Sequence, residues 1–203
     1  TTLVVLSIWL VALILSNMRK FWVILFLGLC LAVSPILWNR LEPYQKTRIE
    51  VFLNPGIDKL NTGYNVEQAK IAINSGGLFG QGLFSGSQSQ LDFLPSQHTD
   101  FIFAVLAEKL GFIGILFLLT LYLVLIIRLI NIAYNARSNF FASTIVLLYV
   151  TILSFHCIEN IGMNLGLLPV AGIPLSFVSA GGSNMLMFFI GLGIASNIAT
   201  TYR

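Results

Sequence analysis

The sequence predicts an all-α integral membrane protein, a polytopic bundle of five membrane-spanning helices with one large structured loop outside the membrane. The first observation is composition, because charged residues make up 9% of the 203 residues and hydrophobic residues make up 57%. Soluble domains carry about 25% charged residues, so this composition excludes a soluble domain. The second observation is that several uncharged stretches reach the roughly 20 residues that a helix needs to cross a bilayer.

The limits of the predicted spans follow from charges and helix breakers. The last uncharged stretch, 160–202, is too long for one span, and Pro169, Pro174 and Gly181-Gly182 interrupt it. We therefore predict a short helix end and a re-entrant or interfacial loop over 160–183, where protein or a polar cavity must cover the non-helical backbone. The five predicted spans cover about residues 2–18, 21–38, 101–127, 139–158 and 185–201.

The distribution of positive charge predicts the orientation of these spans. The short connections on one side, together with the C-terminus, carry basic residues and no acidic ones: Arg19, Lys20, Arg128, Arg137 and Arg203. The long segment 39–100 carries both signs of charge. The positive-inside rule therefore places the short connections in the cytoplasm and segment 39–100 outside it.

Segment 39–100 is predicted to be a structured loop. Val66–Asn74 has the pattern of an amphipathic helix, and the glycine-rich stretch after it contains Phe79, Leu83 and Phe84. Such apolar side chains suit a loop that lies in the membrane interface. A long structured segment among otherwise short connections is where function is most expected.

Asp100 stands where this loop becomes the third predicted span. At this position its carboxylate has enough contact with water to exchange protons. It is also close enough to the membrane to meet a lipid-borne substrate. The ordinary alternative is a helix N-cap, in which the side chain accepts hydrogen bonds from free backbone N–H groups. Asp100 is the candidate catalytic residue of the chain.

Glu108 follows within the third predicted span, about 12 Å deeper than Asp100 and roughly 80° around the helix. Ionisable residues within spans usually face a bundle interior or a polar cavity, so Glu108 is predicted to avoid lipid. Either a structural ion pair or a role in a substrate site satisfies this pattern.

Gly181, Gly182 and Ser183 precede the last span and are candidates for cradling an anion. A plain turn with Ser183 as the N-cap is the alternative. His156 is predicted to be a hydrogen-bonded core histidine, because no second His or Cys stands at a metal-ligand spacing. The sequence predicts no metal site.

Five long motifs occur in order, and they carry a resemblance to a known family. They cover residues 63–78, 88–95, 97–104, 160–174 and 179–183. In this combination the chain resembles the SEDS proteins (shape, elongation, division and sporulation), and the stretch 88–95 is closest to the RodA branch. The resemblance covers essentially the whole chain but only the C-terminal half of a ten-span protein.

The resemblance implies a peptidoglycan glycosyltransferase that polymerises lipid II on the outer face of the bacterial cytoplasmic membrane. By the same resemblance Asp100 matches the family's essential aspartate, and the flanking Gln97 and His98 join the candidate substrate-binding residues. A class B penicillin-binding transpeptidase is the implied protein partner, with membrane lipids around the bundle and no nucleic acid. The chain departs from the family's usual residues at three positions, Lys109, Ala171 and Ala180, and this weakens any role for them.

The implied chemistry agrees with the residue types. A sugar hydroxyl that attacks an anomeric carbon needs a base, and a positioned carboxylate contributes typically 10²–10⁴-fold. The diphosphate leaving group needs charge neutralisation, for which Lys70 and Arg48 are candidates; anionic lipid headgroups are the alternative ligand for these cations. No cofactor is evident, and a divalent cation is left open.

Two rival functions belong to other classes. A lipid-linked precursor transporter, or flippase, would use Glu108, Glu159 and the broken stretch 160–183 to line a path. A non-catalytic membrane scaffold for a transpeptidase is the other. Replacing Asp100 discriminates between them and the transferase, because only a transferase must lose polymerisation.

Overall fold

The computed structural model describes residues 2–15, 42–53, 62–83, 94 and 96–202, together with isolated helical positions between 21 and 40. Most of the second predicted span, 21–38, and the motif residues 88–93 lie outside the described residues. Every regular element within the described part of the chain is helical.

The α-helices are named here in chain order. They are α1 (Thr2–Leu15), α2 (Pro43–Leu53), α3 (Thr62–Gly76), α4 (Ile102–Asn135), α5 (Phe140–Asn164) and α6 (Gly182–Thr201), with a short 3₁₀ helix at Ala136–Ser138 between α4 and α5. The amphipathic helix predicted at Val66–Asn74 is confirmed as part of α3.

Three of the described helices, α4, α5 and α6, are long and apolar enough to cross a membrane. The third predicted span was expected to end at Ile127, but α4 continues to Asn135. Arg128 therefore lies within a helix, and the prediction that put it in a connecting loop was wrong. The connection is the 3₁₀ helix that contains Arg137, and Asn139 caps α5 by accepting hydrogen bonds from Phe141 N and Ala142 N at 3.1 and 3.2 Å.

Three apolar clusters hold the described elements together, and two of them position the site. The larger one joins α4, α5 and α6 through residues such as Leu129, Val146, Leu153 and Phe188. The second joins α3 to the beginning of α4 through Ala69, Ala72, Leu94, Phe101 and Ala104. Alanines at this second contact bring the helix axes close together, so α3 is held against α4.

Helix α4 breaks at Gly111, where φ is 68° and ψ is −171°, a conformation essentially restricted to glycine. The break frees two carbonyls and two N–H groups, and the loop after α3 pairs with all four. Gln81 N and Gly82 N donate to the carbonyls of Glu108 and Lys109 at 2.9 and 3.1 Å, while Phe112 N and Ile113 N donate to those of Gly77 and Leu78 at 2.9 and 3.1 Å. We call this four-bond arrangement between residues 77–82 and the break the clamp.

The break folds the beginning of α4 back along the rest of the helix. Asn160 of α5 donates to the Asp100 carbonyl at 2.9 Å, and Cys157, one turn earlier on α5, lies against the hydroxyl of Tyr122. A straight helix would separate residues 100 and 122 by about 33 Å, too far for both to meet neighbouring turns of α5. Residues 102–110 therefore form a short first arm, and residues 112–135 form the long second arm.

The stretch between α5 and α6 enters the bundle from the end that holds Asp100. The hydroxyl of Tyr122 donates to the Ser176 carbonyl, and His156 Nδ1 lies 3.2 Å from the Pro174 carbonyl. Ala180 N, just before α6, donates to the His98 carbonyl at 2.8 Å. Helix α5 therefore ends, and α6 begins, beside the segment that leads into α4.

Candidate functional site

The backbone of Asp100 is fixed by two asparagines of α5. Asn160 and Asn164 both donate from Nδ2 to the Asp100 carbonyl, at 2.9 and 3.0 Å, and both are fully buried. Asn164 Oδ1 also accepts from Ala104 N at 3.2 Å, so one side chain binds both ends of the first turn of α4. The two asparagines therefore set the position from which the carboxylate projects.

The residues just before Asp100 are fixed from the other side by the stretch between α5 and α6. The Ser179 hydroxyl donates to the Thr99 carbonyl and accepts from Leu175 N, both at 2.7 Å. Ser179 is 1% exposed, so these bonds are sheltered from water. The main-chain carbonyls of residues 98 to 100 are thus bound by four hydrogen bonds from residues 160–180.

The Asp100 carboxylate is half-buried, and burial raises its pKa above the ordinary value for an aspartate. The positive charge of Arg48 opposes this and lowers the pKa. Gly172, at φ +67°, stands beside the carboxylate, and a Cβ at this position would lie 3.6 Å from Asp100 Oδ2. The arrangement supplies a carboxylate with limited solvation and one cationic neighbour.

The N-cap alternative for Asp100 does not describe this helix end. The cap position of α4 is Phe101, and no side-chain capping hydrogen bond is made there. In the described residues, the first-turn contact of Ala104 N comes from Asn164. The Asp100 carboxylate therefore does not cap α4.

A small cleft of about 40 Å³ next to this region contains two cations. Arg48 of α2 and Lys70 of α3 line it, together with apolar residues of α2 and the backbone of Gly166 and Pro169. Gly166 has a φ of +70°, and an added Cβ would lie 2.4 Å from Lys70 Nζ. The absence of a side chain at Gly166 therefore makes the space that the Lys70 ammonium occupies.

A second groove of about 410 Å³ brings together His98, Gly181 and Gly182, beside Ser179 and Ala180. His98 and Gly181-Gly182-Ser183 are exposed. The prediction of Ser183 as an N-cap is wrong, because the cap position of α6 is Gly181 and no side-chain cap is made. Gln97, half-buried, precedes His98 in the same turn.

Glu108 lies on the first arm of α4, between Asp100 and the break. The expectation that it lies deeper in the bundle than Asp100 is wrong, because the first arm leads away from Asp100 toward Gly111. Its side chain is fully buried, as predicted for a residue that avoids lipid. About 12 Å of helix separates it from Asp100, so the two carboxylates are not paired.

His156 is a buried core histidine hydrogen-bonded to the Pro174 carbonyl, as predicted. Among the described residues, no group of three or more His, Cys, Asp and Glu side chains is arranged to hold a metal ion. The candidate site thus consists of Asp100, its backbone contacts, the cleft that contains Arg48 and Lys70, and the groove that contains His98.

Reasoning from the sequence did not identify the roles of Asn160, Asn164 and Gly172. The two asparagines stand four residues apart in a mostly apolar helix, so they share one face. That spacing is a signal for a polar contact between helices, but the sequence does not say which backbone they bind. The proximity of Gly172 to Asp100 has no local signal at all.

Comparison with known proteins decides the family. The model of the FtsW/RodA/SpoVE family, described as cell cycle proteins, matches residues 1–203. The chain belongs to this family. The SEDS resemblance carried by the motifs is therefore confirmed.

Two of the curated relatives of this chain are named peptidoglycan glycosyltransferases. The chain is 50% identical over 173 residues to the peptidoglycan glycosyltransferase MrdB of Escherichia coli strain K12, an alignment that covers 83% of this chain and 46% of that protein. It is 39% identical over 158 residues to the peptidoglycan glycosyltransferase RodA of Treponema pallidum, covering 78% of this chain and 36% of that protein. The chain thus spans about half the length, or less, of the curated relatives it matches.

A solved structure shares the fold. It comes from work described as the structural coordination of polymerization and crosslinking by a peptidoglycan synthase complex, with a TM-score of 0.71 and 28% identity. The match covers 98% of this chain and 55% of the solved chain. The likeness therefore extends over nearly all of this sequence.

Proposed function

We propose that the full-length protein is a peptidoglycan glycosyltransferase that polymerises lipid II during cell elongation, on the outer face of the bacterial cytoplasmic membrane. The names of the curated relatives support the activity. The observation that carries the proposal is the placement of Asp100, whose backbone is bound by Asn160 and Asn164 and whose carboxylate caps no helix. A carboxylate held in this way is suited to act on a substrate.

Asp100 acts as the general base in this proposal. It accepts the proton of a sugar hydroxyl while that oxygen attacks the anomeric carbon of the donor sugar. The new glycosidic C–O bond forms as the bond from the anomeric carbon to the diphosphate oxygen breaks, and the electron pair leaves with the polyprenyl diphosphate. One direct displacement inverts the anomeric configuration, by analogy with inverting glycosidases.

The cationic cleft serves the leaving group. Arg48 and Lys70 line the same cleft, and Arg48 is close enough to Asp100 to affect its pKa. Two positive charges next to the base stabilise the negative charge that develops on a departing diphosphate. The groove that holds His98, Gly181 and Gly182 offers exposed backbone and an imidazole to sugar hydroxyl groups.

The proposed protein partner is a class B penicillin-binding transpeptidase. The solved structure with the same fold belongs to a complex described as coordinating polymerization with crosslinking. A polymerase that works beside a crosslinking enzyme can pass its glycan strand to that enzyme directly.

The experiment replaces Asp100 in the full-length protein. Purified Asp100→Asn protein is given lipid II with no other polymerase, and glycan products are separated by length. We expect no polymer, because the amide keeps the size of the side chain but cannot accept the proton. The matched control is Glu67→Gln, a carboxylate on the exposed side of α3, which should polymerise at the wild-type rate.

Membrane abundance and transpeptidase binding are measured on the same variants. Normal abundance with no polymer supports the base assignment and excludes the flippase and scaffold alternatives. Polymerisation by Asp100→Asn at near the wild-type rate would contradict the assignment and make Glu108 the next candidate.

A further inference from the structure

The loop of the clamp carries unusually exposed apolar side chains. Leu78 is 62% exposed, Phe79 is 79% exposed and Leu83 is 62% exposed. They stand beside Phe112 and Ile113, which are 60% and 51% exposed and whose N–H groups are bound by the same loop. We call Leu78, Phe79 and Leu83 the ledge.

The ledge is continuous with a long apolar surface on the second arm of α4. Large exposed apolar side chains occur along α4 from Leu110 to Ile130. Twenty residues of helix rise about 30 Å, which is the thickness of the hydrocarbon core of a bilayer. One boundary of the hydrocarbon therefore falls close to Gly111, at the level of the clamp.

We propose that the ledge is a lipid-binding surface: Leu78, Phe79 and Leu83 lie in the acyl-chain boundary of the leaflet on the Asp100 side and anchor the loop there. Bilayer lipid is the occupant that the structure favours, because Phe112 and Ile113 belong to the exposed apolar surface of the second arm and are hydrogen-bonded directly to the loop at Gly77 and Leu78. Because the loop follows Gly76 directly, anchoring the loop in the membrane also fixes the position of the end of α3.

Contacts along α5 give the depth of Asp100 relative to the ledge. Helices α4 and α5 run antiparallel, and Cys157 is level with Tyr122, so Asn160 and Asn164 are level with about residues 119 and 115 of α4. Asp100 is bound to both asparagines and therefore lies about 6–12 Å further into the bundle than Gly111. The carboxylate is therefore recessed below the ledge.

A spin label at Phe79 tests the ledge in the full-length protein reconstituted in lipid vesicles. The label is attached to Phe79→Cys in a variant without other cysteines, and its accessibility to oxygen is compared with its accessibility to the water-soluble nickel chelate NiEDDA. We expect oxygen to dominate, because oxygen concentrates in the hydrocarbon and NiEDDA is excluded from it. Leu83→Cys provides the same measurement if the first variant does not fold.

Two control positions calibrate the measurement. Phe117, which is 66% exposed on the second arm, should show stronger oxygen dominance than Phe79, and Glu67 on α3 should show the reverse preference. A label at Phe79 that behaves like the Glu67 label overturns the proposal. Low accessibility to both reagents indicates a protein contact and overturns it as well. The readout does not involve catalysis, so it stands or fails independently of the proposed transferase activity.

Discussion

At the scale of single residues, the site depends on polar side chains that bind backbone. Asp100 is a candidate from the sequence because a carboxylate before an apolar run is conspicuous. Asn160 and Asn164 were not, because their partner is a carbonyl about 60 residues away in the chain. A side chain that binds backbone leaves no complementary residue type for a sequence pattern to reveal.

Replacing Asn164 by alanine should lower both the stability of the protein and its activity. The change leaves the buried N–H of Ala104 without its partner and removes one of two donors from the Asp100 carbonyl. An unsatisfied buried polar group costs about 1–3 kcal/mol, so we expect the free energy of unfolding to fall by that amount. Polymerisation of lipid II should fall too, since the carboxylate loses its fixed position.

Asn74→Ala is the control, because Asn74 is an exposed residue of α3. Chemical denaturation in detergent measures the stability of both variants. Equal stability of Asn164→Ala and Asn74→Ala would show that the Asn164 hydrogen bonds contribute nothing to the fold.

At the scale of elements, the clamp explains why a helix that the sequence predicts as continuous is folded back. Gly111 lies in an apolar stretch with Gly114 three residues later and no proline nearby, and single glycines are tolerated in helices. Its positive φ is stabilised by four hydrogen bonds from a loop about 30 residues earlier in the chain. Local propensity contains no information about such a distant contact, which is why the depth of Glu108 was predicted wrongly.

Gly111→Ala should disrupt the clamp. A Cβ at Gly111 would lie 2.2 Å from Gly80 N and 2.7 Å from the carbonyl group of Leu78, which are backbone atoms and cannot move aside. The conformation alone costs about 1–3 kcal/mol for a residue other than glycine, and the clash adds to it. We expect a clear loss of thermal stability together with faster proteolysis of the loop at residues 77–82.

Gly193→Ala in α6 is the matched substitution, since nothing lies within 4 Å of an added Cβ there. A helical glycine replaced by alanine changes stability by at most about 1 kcal/mol, usually favourably. Equal melting temperatures for the two variants would show that the clamp contributes little.

At the scale of the whole molecule, the described part of the chain is helical as predicted, and three of its helices are long and apolar enough to cross a membrane. Composition and apolar length are readable from the sequence because they depend on the solvent and not on tertiary contacts. The Pro and Gly breaks within 160–183 also predicted irregular backbone, and residues 165–181 are not helical. What the sequence did not predict is that this stretch and the beginning of α4 meet at Asn160, which donates to the carbonyls of Ile173 and Asp100, both at 2.9 Å. Convergence depends on packing between distant segments, which periodicity does not encode.

Topology gives a prediction at this scale. Helix α5 ends and α6 begins at the Asp100 end of the bundle, whereas the 3₁₀ helix joins α4 to α5 at the other end. With Arg128 and Arg137 directed to the cytoplasm, Ala171→Cys should react with a membrane-impermeant thiol reagent from outside, and Ser138→Cys only from the cytoplasm. Labelling of Ala171→Cys solely from the cytoplasm would refute the orientation.

The central claim is that the ionised Asp100 carboxylate is the base, and the pH dependence of polymerisation tests it most directly. The base works only when deprotonated, so kcat/KM should fall as the pH drops through the pKa of Asp100, which burial places above the ordinary value. Arg48→Gln removes the charge that lowers this pKa, so the acidic limb of the profile should move to higher pH. Lys46→Gln on the same helix is the control and should leave the limb in place. We expect a shifted limb for Arg48→Gln alone; a limb that stays at the wild-type position in Arg48→Gln would show that Asp100 is not the titrating base.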